Sequence, residues 1–253
     1  MTAPASAAPG PAEHLGAPLD GPVRALSLDA LGTILCLEPP APRLRRALAA
    51  RFGVELDRAA VERAIAAEIA YYRAHHLEGS DPARLDDLRR RCAQVVDRHL
   101  PELVALEARA AEREAAVLDA LLDAIAFTPY PDALRLLARA RQCGVPVVVA
   151  SNWDCGLAAI LAEHGIDSYL RGMVTSAELG AAKPDRRVFE AAARAAGVAV
   201  RDLLHVGDDP CADLVGARLA GARAVLVDRQ GVHPEARDRV EALDQLVPLL
   251  STA

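Results

Sequence analysis

Hydrophobic positions change their period twice along this chain of 253 residues. Val23-Arg24-Ala25-Leu26-Ser27-Leu28 is a short apolar run that reads as a buried strand ending at Asp29. From roughly Ala41 to Ala126 the pattern turns helical. Leu44, Leu48 and Phe52 make one stripe, and Val61, Ile65, Ile69 and Tyr72 a second. Leu85, Leu88, Cys92 and Val95 make a third, and Leu118, Leu121, Leu122 and Ile125 a fourth. Each is the apolar face of an amphipathic helix. So long an insertion after one strand is not a loop, because ordered loops beyond about 12–15 residues are uncommon. The pattern predicts an all-helical domain over 39–127.

After Thr128-Pro129-Tyr130-Pro131 the chain alternates. A helix over Asp132–Gln142 precedes the strand Val145–Ala150, and a helix over Leu157–His164 precedes the strand Met173–Ser176. A helix after Pro184 leads to the strand Leu203–Val206. A last helix, ending near Gly221, leads to the strand Ala224–Val227. Strands alternating with helices predict an α/β core, a Rossmann-like, doubly wound parallel sheet covered on both faces. Residues 21–38 and 128–253 would form it. Ligands of such sheets sit outside the carboxyl ends of the strands, where Asp29, Ser151 and Asp208 all fall. Residues 1–20, rich in Ala, Pro and Gly, lack both a basic start and an apolar stretch, and read as a disordered tail rather than a signal peptide.

Composition narrows the function. The chain is 52% hydrophobic but only 3% aromatic, so its core must rest on Ala, Leu and Val. A net charge of -6 argues against a sequence-independent nucleic-acid binder. No apolar run is long enough to span a membrane. The five cysteines are scattered, with no Cys-x-x-Cys pair, which argues against a disulfide framework or a zinc site and fits a cytoplasmic setting.

Of the 29 basic residues, 28 are arginine and one is Lys183. A site that needs a compact ammonium, rather than a planar fork, explains such an exception. Asp29-Ala30-Leu31-Gly32-Thr33 places a carboxylate at a strand end, suited to nucleophilic attack. Ser151-Asn152 offers a hydroxyl and an amide as anion donors. His205-Val206-Gly207-Asp208-Asp209 brings two more carboxylates, and Asp213 follows. Carboxylates gathered against one lysine repel one another unless a hard cation joins them, and Mg2+ is the natural choice. Asp209 and Asp213 also suit the positive start of a helix with Pro210 in its first turn, so Asp209 has two available roles.

In this order and spacing, Asp-x-x-Gly-Thr, a strand-ending Ser-Asn, Lys-Pro-Asp and Gly-Asp-(x)4-Asp resemble the four motifs of the haloacid dehalogenase-like (HAD) hydrolases. The resemblance covers nearly everything from Val23 to the last strand. It implies that Asp29 forms an aspartyl intermediate, that Ser151 and Lys183 hold the transferred group, and that the inserted helices form a cap; the amide of Asn152 is a further candidate for substrate binding. It implies Mg2+ held by Asp29, Asp208 and the backbone carbonyl of Leu31, with Asp209 a further candidate ligand. The implied activity is a phosphatase of small phosphorylated metabolites, the substrate being a phosphate ester or anhydride. One position departs. Phosphatases of the family carry a general acid–base Asp where this chain has Leu31. A dehalogenase that attacks carbon, or a non-catalytic binding protein, are the competing readings. The Tyr71-Tyr72-Arg73-Ala74-His75-His76 segment, near a helix end, offers two histidines that would replace the missing acid if they faced the site.

Overall fold

A computed structural model describes residues 22–104 and 110–250. The expected tail (1–20) lies outside the described residues. The chain opens with β1 (Ala25–Leu28) and β2 (Leu35–Leu37), then enters α1 (Pro40–Phe52), α2 (Arg58–His75), α3 (Pro82–Arg98), the single turn α4 (Pro101–Val104) and α5 (Ala110–Ala124). It returns through β3 (Phe127–Pro129), α6 (Pro131–Gln142), β4 (Val147–Ser151), α7 (Leu157–Glu163), β5 (Gly172–Thr175) and α8 (Ser176–Leu179). Then come α9 (Arg186–Ala196), β6 (Leu203–Gly207), a π-helical turn over Pro210–Val215, α10 (Gly216–Leu219), β7 (Arg223–Val227) and β8 (Arg239–Val240).

Six strands form one parallel sheet in the order β5-β4-β1-β6-β7-β8. Its strands alternate between two buried faces, as the pleat requires. Leu26, Leu28, Val147, Val149, Leu204 and Val206 point into one cluster, closed by Leu136 and Leu137 of α6. Ala25, Val148, Ala150, Leu203 and Leu226 point into the other, closed by Val188, Phe189 and Ala192 of α9. Two polar side chains interrupt the second face, Ser27 and His205, both fully buried. They are register partners across β1 and β6. Each therefore finds its partner in the other, the imidazole Nδ1 lying 3.0 Å from Ser27 Oγ.

The inserted helices pack on one another around a third cluster that includes Leu44, Leu48, Val61, Leu88, Val96 and Leu121. Where the chain leaves the sheet and returns, β2 and β3 pair antiparallel, Cys36 opposite Thr128. The hydrophobic pattern does not show this ribbon, because three residues per strand are too few for an alternation. Strand β4 starts at Val147 rather than Val145, since Pro146 between them has no N–H for the ladder. Leu88→Ala empties a fully buried position among the inserted helices. A loss of about 2–5 kcal/mol is expected, read as a lower urea midpoint at unchanged m-value.

Candidate active site

Three adjacent strands, β4, β1 and β6, deliver the site. Asp29 follows β1, Ser151 closes β4, and Asp208 follows β6. The Ser151 hydroxyl donates to Asp29 Oδ1 at 2.9 Å. Lys183 Nζ donates to the same oxygen at 2.5 Å and to Asp213 Oδ1 at 2.5 Å. Lys183 is only 5% exposed, so both ion pairs are sealed from water. Oxygens of Asp29, Asp208 and Asp213 lie within 4.8 Å of one another.

Asp213, rather than Asp209, completes this cluster. Asp209 Oδ1 accepts from the N–H groups of Cys211 and Ala212 and so caps the π-helical turn. The turn that follows brings Asp213 back to the strand end: its N–H donates to the Asp209 carbonyl, and its Oδ2 accepts from the Asp209 N–H. Asn152 also departs from its expected role as an anion donor. Its amide nitrogen donates to the Lys183 carbonyl at 3.0 Å, and its oxygen accepts from the Lys183 N–H at 2.7 Å. Both ends of the side chain thus hold the lysine backbone.

Two glycines make room. A Cβ on Gly32 would lie 2.1 Å from Asp208 Oδ2, and Gly32 has φ +81°, where side chains are disfavoured. A Cβ on Gly207 would lie 2.1 Å from Asp213 Cγ. The turn itself is closed by N–H groups of Thr33, Ile34 and Leu35 on the Ala30 carbonyl. The Gly32 N–H donates to the Leu35 carbonyl, which turns the Leu31 carbonyl, trans across the same peptide plane, to the opposite side. The Leu31 side chain is half-buried against the first core cluster and carries no titratable atom.

The charges are unevenly balanced. Burial raises the Asp29 carboxyl above its ordinary range, against the pull of Lys183. For Asp213 burial is outweighed: Lys183 and His205 hold its carboxyl well below that range. The difference lies in the number of donors, since Asp213 also accepts from His205 Nε2 at 3.0 Å. Burial lowers the His205 imidazole, so it is neutral, donating through Nε2 and accepting from Ser27 at Nδ1. Lys183 would be lowered by burial, but Asp29 and Asp213 lift it above its usual value. Burial of its inner side, then repulsion from Asp29 and Asp213, pushes Asp208 up to about 7. Asp208 is nonetheless open to solvent on its outer side, which softens that repulsion.

The inserted helices reach this site through the loop after Ser151. Tyr72 Oη donates to Asp154 Oδ2 at 2.7 Å, and the Cys155 N–H donates to the Gly79 carbonyl. Burial and Asp154 push the Tyr72 phenol far above its ordinary value, so it stays a donor. His75 Nδ1 pairs with the Tyr71 carbonyl and His76 Nδ1 with the Arg73 carbonyl, so these ring nitrogens are tied to their own helix. Sequence reasoning missed His205 and Asp154. A histidine inside Leu-Leu-His-Val is the signal that would have found the first.

Three carboxylates and one ammonium leave net negative charge, and oxygen donors this close suit a hard divalent cation such as Mg2+. A family model described as haloacid dehalogenase-like hydrolase matches residues 23–221. Phosphoserine phosphatase of Thermus thermophilus is 42% identical over 107 residues, 42% of this chain and 43% of that protein. (S)-2-haloacid dehalogenase 4A of Burkholderia cepacia is 31% identical over 131 residues, 49% of this chain and 56% of that one. The chain spans about half the length of the curated relatives it matches. A HAD phosphatase from Thermococcus onnurineus shares the fold, with TM-score 0.62 at 20% identity over 91% of this chain and 100% of that one. A 2-haloacid dehalogenase from Pseudomonas syringae does so with TM-score 0.63 at 21% identity, over 90% and 98%.

Lys183→Met leaves two buried carboxylates without their ammonium. A loss of about 3–5 kcal/mol is expected near neutral pH. Without Lys183 both carboxyls rise, so the folded variant takes up protons that the unfolded chain does not. The deficit should therefore shrink as pH falls, measured by urea denaturation across the acid range.

Proposed function

The chain belongs to the haloacid dehalogenase-like hydrolases, and from that premise we propose that it is a Mg2+-dependent phosphatase of small phosphate esters or anhydrides. The observation that carries the proposal is the convergence of Lys183 and Asp213 on Asp29, Ser151 and Asp208, which stand at three neighbouring strand ends. In this reading the Asp29 carboxylate attacks phosphorus. The aspartyl–phosphorus bond forms as the bond to the leaving oxygen breaks. Ser151 and Lys183, which fix the Asp29 carboxylate, also hold the transferred group. Water then attacks phosphorus, releasing inorganic phosphate and restoring the Asp29 carboxylate. Asp208, Asp213 and Asp29, with the Leu31 carbonyl, would hold Mg2+. When bound there it neutralises charge on the phosphoryl oxygens. The inserted helices act as a cap, docked through Tyr72 onto Asp154.

The haloacid dehalogenase reading draws on Leu31 and on the Burkholderia relative. Asp208 and Asp213 disfavour it, since without a cation they would repel an anionic haloacid. Halide release in the presence of EDTA is the result that would reverse this preference.

Metal binding carries a pH signature. The folded Asp208 carboxyl, at about 7, keeps its proton more tightly than the ordinary carboxyl at 3.8. In the metal-free protein it therefore favours the fold at acid pH, and that contribution is lost as pH rises through about 7. Mg2+ must displace the same proton. The gain in melting temperature on adding Mg2+ should be largest above pH 7 and decline as pH falls, with apparent affinity dropping about tenfold per unit below the Asp208 pKa. Asp208→Asn should abolish the trend.

Leu31 sets the substrate limits. General acid–base catalysis is worth about 10²–10⁴ in rate, or roughly 3–5 kcal/mol of barrier. Without it the leaving oxygen departs unprotonated and takes its proton from solvent. Rates on a graded series of phosphate esters should fall steeply as leaving-group pKa rises. Leu31→Asp is expected to flatten that slope and to speed alkyl esters by up to about 10²-fold. A flat slope in the wild type would mean that another residue supplies the proton.

A further inference from the structure

The turn that carries Leu31 is gripped from outside by one arginine. Arg229 follows β7, distant in sequence from the turn, and its guanidinium donates to two consecutive turn carbonyls. Nε reaches the Gly32 carbonyl at 3.2 Å and Nη2 the Thr33 carbonyl at 2.7 Å. The rest of the fork is committed to Asp132 at the start of α6, with Nη1 to Oδ2 at 2.9 Å and Nη2 to Oδ1 at 3.2 Å. The Tyr130 ring lies beneath the guanidinium, 3.7 Å from its carbon. Asp132 is itself buried and pinned by the Leu243 N–H at 2.7 Å. The next turn carbonyl, that of Ile34, accepts from the Tyr130 N–H at 3.0 Å. Three successive carbonyls of the turn are therefore fixed by groups outside it.

We propose that Arg229, seated on Asp132 and Tyr130, is a positioning residue that sets the orientation of the Asp29–Thr33 turn. It thereby holds the nucleophile and the Leu31 carbonyl against Asp208. The chemistry fits this task. A planar fork with five donors on three nitrogens can bridge two carbonyls and a carboxylate spread around one plane, whereas a lysine's donors all radiate from a single nitrogen that cannot reach all of them. Precision matters here because the room is small: Gly32 has no space for even a methyl group beside Asp208. A turn that drifts by a fraction of an ångström either collides with Asp208 or draws the Asp29 carboxylate off line. The catalytic part of the inference rests on the proposed phosphatase reading; the grip on the turn does not.

The test compares wild type, Arg229→Ala and Arg229→Lys by hydrogen exchange and by turnover of an aryl phosphate with Mg2+. In Arg229→Ala, exchange of the Gly32–Leu35 amides should quicken while β1, β4 and β6 stay protected. The rate constant kcat should fall by about 10²-fold with KM little changed, as expected for misplacement of a reacting group. Added guanidinium ion, which can enter between Tyr130 and Asp132, should restore part of both, and ammonium should not. Arg229→Lys should fall between the two, and serves as the comparison if the alanine variant does not fold. Unchanged turn exchange and kcat in either variant would overturn the proposal. So would faster exchange throughout the sheet without guanidinium rescue, which marks a general loss of stability. If wild type turns over no phosphate ester yet the exchange pattern appears as described, the grip stands and the phosphatase reading fails.

Discussion

One buried ammonium organises this molecule. Lys183 lies 2.5 Å from a carboxylate oxygen of Asp29 and 2.5 Å from one of Asp213, with almost no contact with water. A charge in such a place costs several kcal/mol in desolvation unless its partners are in place. The fold supplies both, and local devices hold the lysine and Asp213 in place. Asn152 holds the Lys183 backbone with both ends of its amide. A π-helical turn, capped by Asp209, swings Asp213 inward. His205 and Ser27, paired across two central strands, keep Asp213 oriented from below. Remove the ammonium and the rest becomes a set of carboxylates that repel one another.

The same requirement explains the single lysine in an arginine-rich chain. Arginine fills the surface, where a fork pairs well with exposed acids, as Arg135 does with Asp244 and Arg187 with Asp185. Inside the site the cation must approach two carboxylates from the end of a slender stem, a geometry that suits a point charge. Arg229 is the converse case. Its partners are two carbonyls and a carboxylate spread around one plane, and only a fork meets all of them.

Much of this was legible in the sequence, and what was not has a physical reason. Strand ends are set by short apolar runs between turn residues, so Asp29, Ser151 and Asp208 could be placed from pattern alone. Lys183 stood out by being one of a kind. The choice between Asp209 and Asp213 was hidden, because it depends on which of the two carboxylates is taken up by the N–H groups at the start of the turn. Asn152 was legible as a polar residue at the right place, but the direction of its amide is set by a loop 31 residues away. Arg229 is one of 28 arginines, and only the sheet order brings it to a turn 197 residues upstream. The β2–β3 ribbon was invisible for want of length.

The segment from Ser151 to Asp154 joins the carboxylate cluster to the inserted helices. Four consecutive residues leave the end of β4 in four directions. Ser151 meets Asp29, and Asn152 meets Lys183. Trp153 packs against Phe127 of the ribbon, with ring centroids 5.1 Å apart, and its carbonyl accepts from Ser176 and Ala177. Asp154 accepts from Tyr72 of the inserted helices. All four leave one anchored strand end, since Ser151 is the last residue of β4. In the proposed reading, movement of the helical cap therefore reaches the nucleophile through three peptide bonds, and needs no longer route. In that reading, the short connection gives the cap a hold on the hydroxyl bonded to Asp29. In the same reading it ties the substrate preference of the cap to the alignment of the attack.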